Sequence, residues 1–265
     1  MFDGRISKYL EKIEHGKAFN FSAFLSLLPE SLKEDVERNA SVNFLRKNSV
    51  IVTISCEKLL KRLYELTIEP ESRVSATLLG NSHKVKTSTS YLFVYHQQCD
   101  DIHPDTVVCN KENASFKFQP KKQVLIIENS ELFFSRDALL SQMNKVFSLS
   151  LSFENTDLVF GSGNQVTNIY NQEFLNQYES VLCFFDYDFG GLKIFKAMKN
   201  IVGGKAQFLE PNSDDLDIYF VKKPKNKDQY LKAVKAAEDL GLKRLNRLFL
   251  TTKLFMEQEA ILAFE

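Results

Sequence analysis

The chain has 265 residues, with 34 basic and 34 acidic side chains, so its formal net charge is zero and no bulk positive field draws it to nucleic acid. The balance is local as well: residues 1–120 hold 16 basic and 15 acidic side chains and the remainder 18 and 19, which leaves DNA binding to a local patch. Apolar residues make up 44%, with 23 Phe and no Trp, which excludes a disordered chain and implies a core rich in aromatic contacts.

The first residues, MFDGRISKYLEKIEHG, are amphipathic and charged, without the apolar region of a secretory signal. No run of about 18 apolar residues predicts a membrane span. Cysteines stand at 56, 99, 109 and 183, without a C-x-x-C pair or a Cys/His cluster at zinc spacing. A reducing cytoplasm is the expected location.

Helical spacing of apolar residues predicts helices in ISKYLEKI, FSAFLSLL and CEKLLKRLYEL, the second capped by Asn20 or Ser22. VIVTIS (50–55) and YLFVYH (91–96) read as strands, and 97–113 as loop. The texture changes at Pro120. VLIIE (124–128), DLVF (157–160), VLCFFDYD (181–188) and AQFLEP (206–211) are apolar strands. They alternate with helical patterns at 136–147, 164–178 and 190–202. This order predicts an α/β fold with a parallel sheet covered by helices. The expected division is an N-terminal, mainly helical α+β domain over 1–120 and an α/β domain over 121–265. The tail from 212 is expected to be helical, including 254–264.

Ligands gather at the carboxyl ends of parallel strands. Three strands here end in polar residues: Glu128, then Gly161-Ser162-Gly163, then Asp186 and Asp188. Residues i and i+2 of a strand project together, so the two aspartates repel unless a positive charge sits between them. With Glu128 they form an oxygen-rich set suited to Mg²⁺ or Mn²⁺. Gly190 and Gly191 allow a tight turn into a helix whose N-terminus favours an anion. The other reading is structural: Asp at a strand end also caps helices and turns. Gly161-Ser162-Gly163 reads either as a phosphate nest or as a plain strand-to-helix turn.

Glu at the end of one strand and D-x-D at the end of a later one resemble the signature of toprim domains. VLII-E-N-S-E, G-S-G-N and F-D-Y-D-F-G-G look most like the nuclease subunit of Wadjet-type plasmid-defence systems, the JetD family, itself similar to the A subunit of topoisomerase VI. S-R-V-S-A-T-L-L-G-N-S-H-K (72–84) is similar to the segment preceding toprim in such proteins, and the tail L-F-M-E-Q-E-A is similar to their C-terminal glutamate-rich segment. The resemblance covers roughly 70–265; it implies that 121–265 is the catalytic domain and leaves 1–120 for DNA or partner binding. It implies Mg²⁺-dependent DNA cleavage, with Glu128, Asp186 and Asp188 holding one or two ions. It offers Arg73, His83 and Lys84 for phosphate contacts or proton transfer, and Glu257 or Glu259 as a further ligand. Lys243, Arg244 and Arg247 share a helical segment that can touch DNA backbone or simply face water. An SMC-type defence complex is the implied partner, with a homodimer as a further expectation. Tyr64, Tyr91 and Tyr95 lie upstream, but nothing marks one as the nucleophile of topoisomerase VI-type cleavage, so hydrolysis is expected. The alternatives are a topoisomerase VI A-like subunit, a haloacid-dehalogenase-type phosphatase using D-x-D with Asp214-Asp215, and a non-catalytic toprim docking module. Glu128 separates them, because a phosphatase or scaffold has no need of it.

Overall fold

The computed structural model describes residues 3–46, 48–68, 77, 87–99, 102–211 and 214–263. It divides into two units, Met1–Ser88 and Thr89–Glu265. In the first, α1 (Arg5–Glu14), α2 (Phe21–Leu25) and α3 (Glu30–Asn39) precede a hairpin of β1 (Ala40–Arg46) and β2 (Ser49–Ile54), and α4 (Glu57–Glu65) follows. The apolar spacing noted in the sequence becomes the core. Ile6 and Leu10 of α1, Phe24 of α2 and Leu59 and Leu63 of α4 are buried together. Asn20 caps α2 by accepting the Ala23 N–H at 3.0 Å. Phe19 pairs with Val50 between α1 and α2. The order is thus three helices, with a short bridge between the first two, and then a hairpin. The α3 face is acidic: Glu30, Glu34 and Asp35 are paired with Lys33, Arg38 and Arg62.

In the second unit the sheet runs β5-β4-β3-β7-β6-β8-β9. Its strands are β3 (Thr89–Tyr95), β4 (Asp105–Asn110), β5 (Ala114–Ser115), β6 (Gln123–Ile127), β7 (Thr156–Phe160), β8 (Ser180–Phe184) and β9 (Ala206–Phe208). β6 pairs parallel with β7 on one side and β8 on the other, and β8 pairs parallel with β9. Every residue from Val124 to Ile127 is buried, which is why this strand reads as a continuous apolar run. Helices α5 (Ser130–Phe134), α6 (Arg136–Phe147), α7 (Gln172–Leu175) and α8 (Phe189–Val202) lie in the crossovers, and α9 (Lys227–Asp239) and α10 (Lys243–Thr252) follow the sheet. The expected α/β class with a helix-flanked parallel sheet holds.

The unit boundary falls at Ser88/Thr89 and not near Pro120. The reason is pairing: β3 runs antiparallel to β7, with Val94 opposite Val159, so the strands before Pro120 extend the same sheet. Residues 97–113 are also not all loop, since β4 lies within them. Among the described residues, no helix is long and apolar enough to cross a membrane.

Candidate metal centre

The order of β7, β6 and β8 makes β6 a switch point, where one chain crossover goes left and the next goes right. In open α/β sheets the crevice at such a point, outside the carboxyl ends, is where ligands bind. Glu128 follows β6 directly, and Asp186 and Asp188 follow β8. A cleft of about 350 Å³ opens there, lined by Glu128, Asn129, Ser162, Gly163, Asp186, Gln258 and Glu259, among others.

The aspartates lie beyond the last paired residue of β8, and each is held by its own contacts. Asp188 is the N-cap of α8: its Oδ1 accepts the N–H groups of Gly190 and Gly191 at 2.7 and 3.1 Å. The anion at that helix start is therefore Asp188 itself, which corrects the expectation of a free anion site there. Asp186 Oδ1 accepts the backbone N–H of Gln258 at 2.9 Å. Gly191 is required by close approach, because a Cβ there would stand 2.2 Å from the Asp186 carbonyl oxygen. On the facing wall, Ser162 and Gly163 both have positive φ, 44° and 59°, in the turn from β7 into a 3₁₀ segment.

The C-terminal segment completes the cluster. Phe255 pairs with Lys222, and Met256 with Tyr187, through backbone hydrogen bonds. These two bridges bring Glu257, Gln258 and Glu259 to the strand ends. Gln258 is buried and acts as a clip: its Oε1 accepts from the N–H groups of Glu128 and Asn129 at 3.1 and 3.2 Å, while its own N–H holds Asp186. Glu259 accepts from the Asn129 side chain. Lys222 supplies the positive charge between the aspartates. Its Nζ lies 3.6 Å from Asp186, 3.4 Å from Asp188 and 2.8 Å from Glu257.

Electrostatics single out Glu128. Burial, then the charges of Asp186 and Asp188, push its carboxyl up to about 7, against a smaller opposing effect of Lys222. Its Oε2 is buried without a hydrogen-bond partner. Burial likewise raises Asp186, against the Gln258 N–H, with Asp188 adding to the rise. Burial works to lower Lys222, but the hydrogen bond to Glu257 and the charges of Asp188 and Asp186 carry it above the usual lysine range. An unpartnered carboxylate oxygen among like charges fits a hard divalent cation, which takes oxygen ligands.

Of the other residues singled out in the sequence, Lys243, Arg244 and Arg247 are exposed on α10, whose first N–H groups are capped by Glu210; none of the three lines the cleft. Arg73, His83 and Lys84 lie outside the described residues. Tyr64 donates to Glu14, which pushes its hydroxyl up to about 12. Tyr95 is buried with its hydroxyl on the Ile102 carbonyl, and Tyr91 is exposed. Sequence reasoning missed Gln258 and Lys222. A signal for Gln258 existed in its place between two glutamates already noted, but Lys222, in the run VKKPK, carried none.

A second group, His96, Cys99 and Asp105, brings ligand-type atoms within 4.8 Å of one another. Both His96 ring nitrogens are engaged, Nδ1 by the Gln98 N–H at 3.2 Å and Nε2 with Asp105 at 3.0 Å, and the ring stacks on Phe118. Accepting at Nδ1 puts the ring proton on Nε2, where it is donated to Asp105, so the pair reads as a satisfied core histidine.

No family model matches the chain and no curated protein matches it. Among solved structures it is similar to the primase fragment of the bacteriophage T7 primase-helicase protein, with a TM-score of 0.28 and 14% identity, covering 62% of this chain and 62% of that one. At that degree of likeness nothing of the primase fragment's role carries over, and what this site does has to come from its own geometry.

Proposed function

We propose that the cluster of Glu128, Asp186 and Asp188 holds Mg²⁺ or Mn²⁺ and cleaves phosphodiester bonds in DNA, as the resemblance to toprim nucleases implies. The observation that carries this reading is the unpartnered, buried oxygen of Glu128 facing a cleft already shared with Asp186. Glu128 and Asp186 are the ligands at the cleft, and Gln258 fixes both by holding the backbone of one and the carboxylate of the other. When bound, such an ion polarises the scissile phosphate and lowers the pKa of the attacking water. Ser162 and Gly163 contribute small residues to the opposite wall beside Phe160, which leaves room for a phosphate at that turn. Lys222, ion-paired with Asp186, Asp188 and Glu257, offsets part of the negative charge that an approaching phosphate would meet.

Hydrolysis is preferred to tyrosine-linked cleavage. The Tyr64 hydroxyl is engaged by Glu14 of its own unit, and none of Tyr64, Tyr91 and Tyr95 lines the cleft of the carboxylates. The exposed Lys243, Arg244 and Arg247, with Arg73, His83 and Lys84, are the candidate contacts to the DNA backbone. The near-neutral surface implies loading by a partner, which fits a role beside an SMC-type complex in defence against plasmids or phage. The acidic, ion-paired face of α3 favours a partner-binding over a DNA-binding role for the first unit.

The test is cleavage of supercoiled plasmid with Mg²⁺ or Mn²⁺ by the wild-type chain, Asp186→Ala and Glu128→Ala, with and without the proteins of the neighbouring operon. Metal-dependent nicking or linearisation lost in both variants is expected. Cleavage that persists in Glu128→Ala, or that never depends on metal, overturns the reading.

A further inference from the structure

Among the described residues, five carboxylates converge at the strand ends, Glu128, Asp186, Asp188, Glu257 and Glu259, with one ammonium between them, that of Lys222. They are not arranged evenly around it. Asp188, Glu257 and one oxygen of Asp186 surround the Lys222 Nζ, between 2.8 and 3.6 Å away. Glu128 and Glu259 face the open cleft together with Asp186. Asp186 is thus shared between two half-sites, and among the described residues a cation stands in only one of them.

We propose that Lys222 fills the position of a second divalent ion, so that this centre takes a single ion, between Glu128 and Asp186. The inference rests on the reading of the cluster as a metal centre and specifies its stoichiometry. Three observations support it. First, the ammonium is placed by the fold: the Lys222 backbone is bonded in both directions to Phe255, at 3.0 and 2.8 Å, and its side chain is only 33% exposed. Secondly, the carboxylates around it are already used. Asp188 spends Oδ1 on the start of α8 and offers only Oδ2, which faces Nζ, so it has no second oxygen for an ion. Thirdly, the charge that remains is on the other side. Glu128 has a buried oxygen without a partner, and Lys222 reaches it only through space, so the unmet demand for a cation is there. A lysine within 3.6 Å of three carboxylates places one positive charge, half that of a divalent ion, at the centre of that half-site without needing to be recruited.

The experiment counts ions. Mn²⁺ bound per folded chain is measured by isothermal titration calorimetry, and independently from the free Mn²⁺ signal in electron paramagnetic resonance, at pH 7.5. The wild-type chain is expected to bind one ion. Lys222→Met, which vacates the position while keeping the stem, is expected to bind two, and Lys222→Arg, which retains the charge, one. Circular dichroism checks that each variant is folded. Two ions in the wild-type chain overturn the proposal whatever the variants do, as does a single ion in a folded Lys222→Met. No ion in the wild-type chain overturns the metal reading itself, and this inference with it.

Discussion

Each end of the parallel sheet holds a carboxylate with one oxygen buried and unpartnered, and the two are surrounded in opposite ways. Asp157, at the amino end of β7, is fully buried, and its Oδ2 accepts from the Lys121 N–H at 2.9 Å and the Tyr178 hydroxyl at 3.0 Å. Burial still raises its pKa, but both donors work against that rise. Its other oxygen lacks a partner, as does Glu128 Oε2, so an orphan oxygen alone does not mark a cation site. What differs is the company. Asp157 is a single acid among donors, whereas Glu128 stands among acids and its carboxylate accepts from no donor among the described residues. One end ties the crossovers to the sheet; the other gathers five carboxylates around one lysine among the described residues, the set proposed above to take an ion.

The comparison is sharpened by removing each carboxylate's supports in turn. Asp157→Ala leaves the Lys121 N–H and the Tyr178 hydroxyl buried without an acceptor, and is expected to cost about 3 kcal/mol of stability in urea unfolding. Mn²⁺ binding by the molecules that remain folded should not change. A loss of ion binding would mean that the two ends are coupled and the distinction false. Gly191→Ala drives a methyl group into the Asp186 carbonyl, with an expected cost of about 2 kcal/mol from overpacking. Here Mn²⁺ binding should fall along with stability, because the displaced group is part of the site; wild-type binding would show that the tight α8 turn does not position Asp186.

A smaller effect concerns pH. Glu128 titrates near 7 in the folded chain but near 4.5 as an unperturbed glutamate. Between these values the folded state binds the proton that the unfolded chain has released, so this group makes stability fall as pH rises from 4.5 to 7. Glu128→Gln should therefore show a shallower decline of melting temperature over that window. Asp186 and Asp157, raised in the same direction, contribute their share in both proteins. Identical slopes would remove the claim that Glu128 is ionised at a cost.

Much of this centre was legible from residue types alone. The apolar runs at 124–128 and 157–160 became β6 and β7 because parallel strands buried on both faces leave no alternation to misread, and the pattern at 136–147 became α6 with the same limits. Glu128 and the two aspartates converge as their places after β6 and β8 implied. What escaped was set by tertiary contact. β4 lies at the partly exposed side of the sheet beside a two-residue edge strand, and its pattern is too polar to stand out from the loop around it. Residues 164–178 have helical spacing, yet Asn168 caps its own turn and the Asn171 side chain bonds the carbonyls of Gln165 and Val166, so the backbone breaks into 3₁₀ turns and one short helix. The tail 254–264 also looked helical. Its Phe255 and Met256 are instead buried and bridged to Lys222 and Tyr187, with a 3₁₀ segment over Gln258–Ala263. Without that detour neither Gln258 nor Lys222 could be connected to the aspartates.

The most direct measurement is the melting temperature of the wild-type chain, Asp157→Ala and Glu128→Gln at pH 7.5, with and without saturating Mn²⁺. An ion at a hundred times its dissociation constant adds about 2.7 kcal/mol to the folded state, a shift of several degrees. The wild-type chain and Asp157→Ala should both gain that shift, from their different starting points, and Glu128→Gln should gain little or none. An equal gain in Glu128→Gln, or none in the wild-type chain, would contradict the assignment of the carboxyl-end cluster as a cation site.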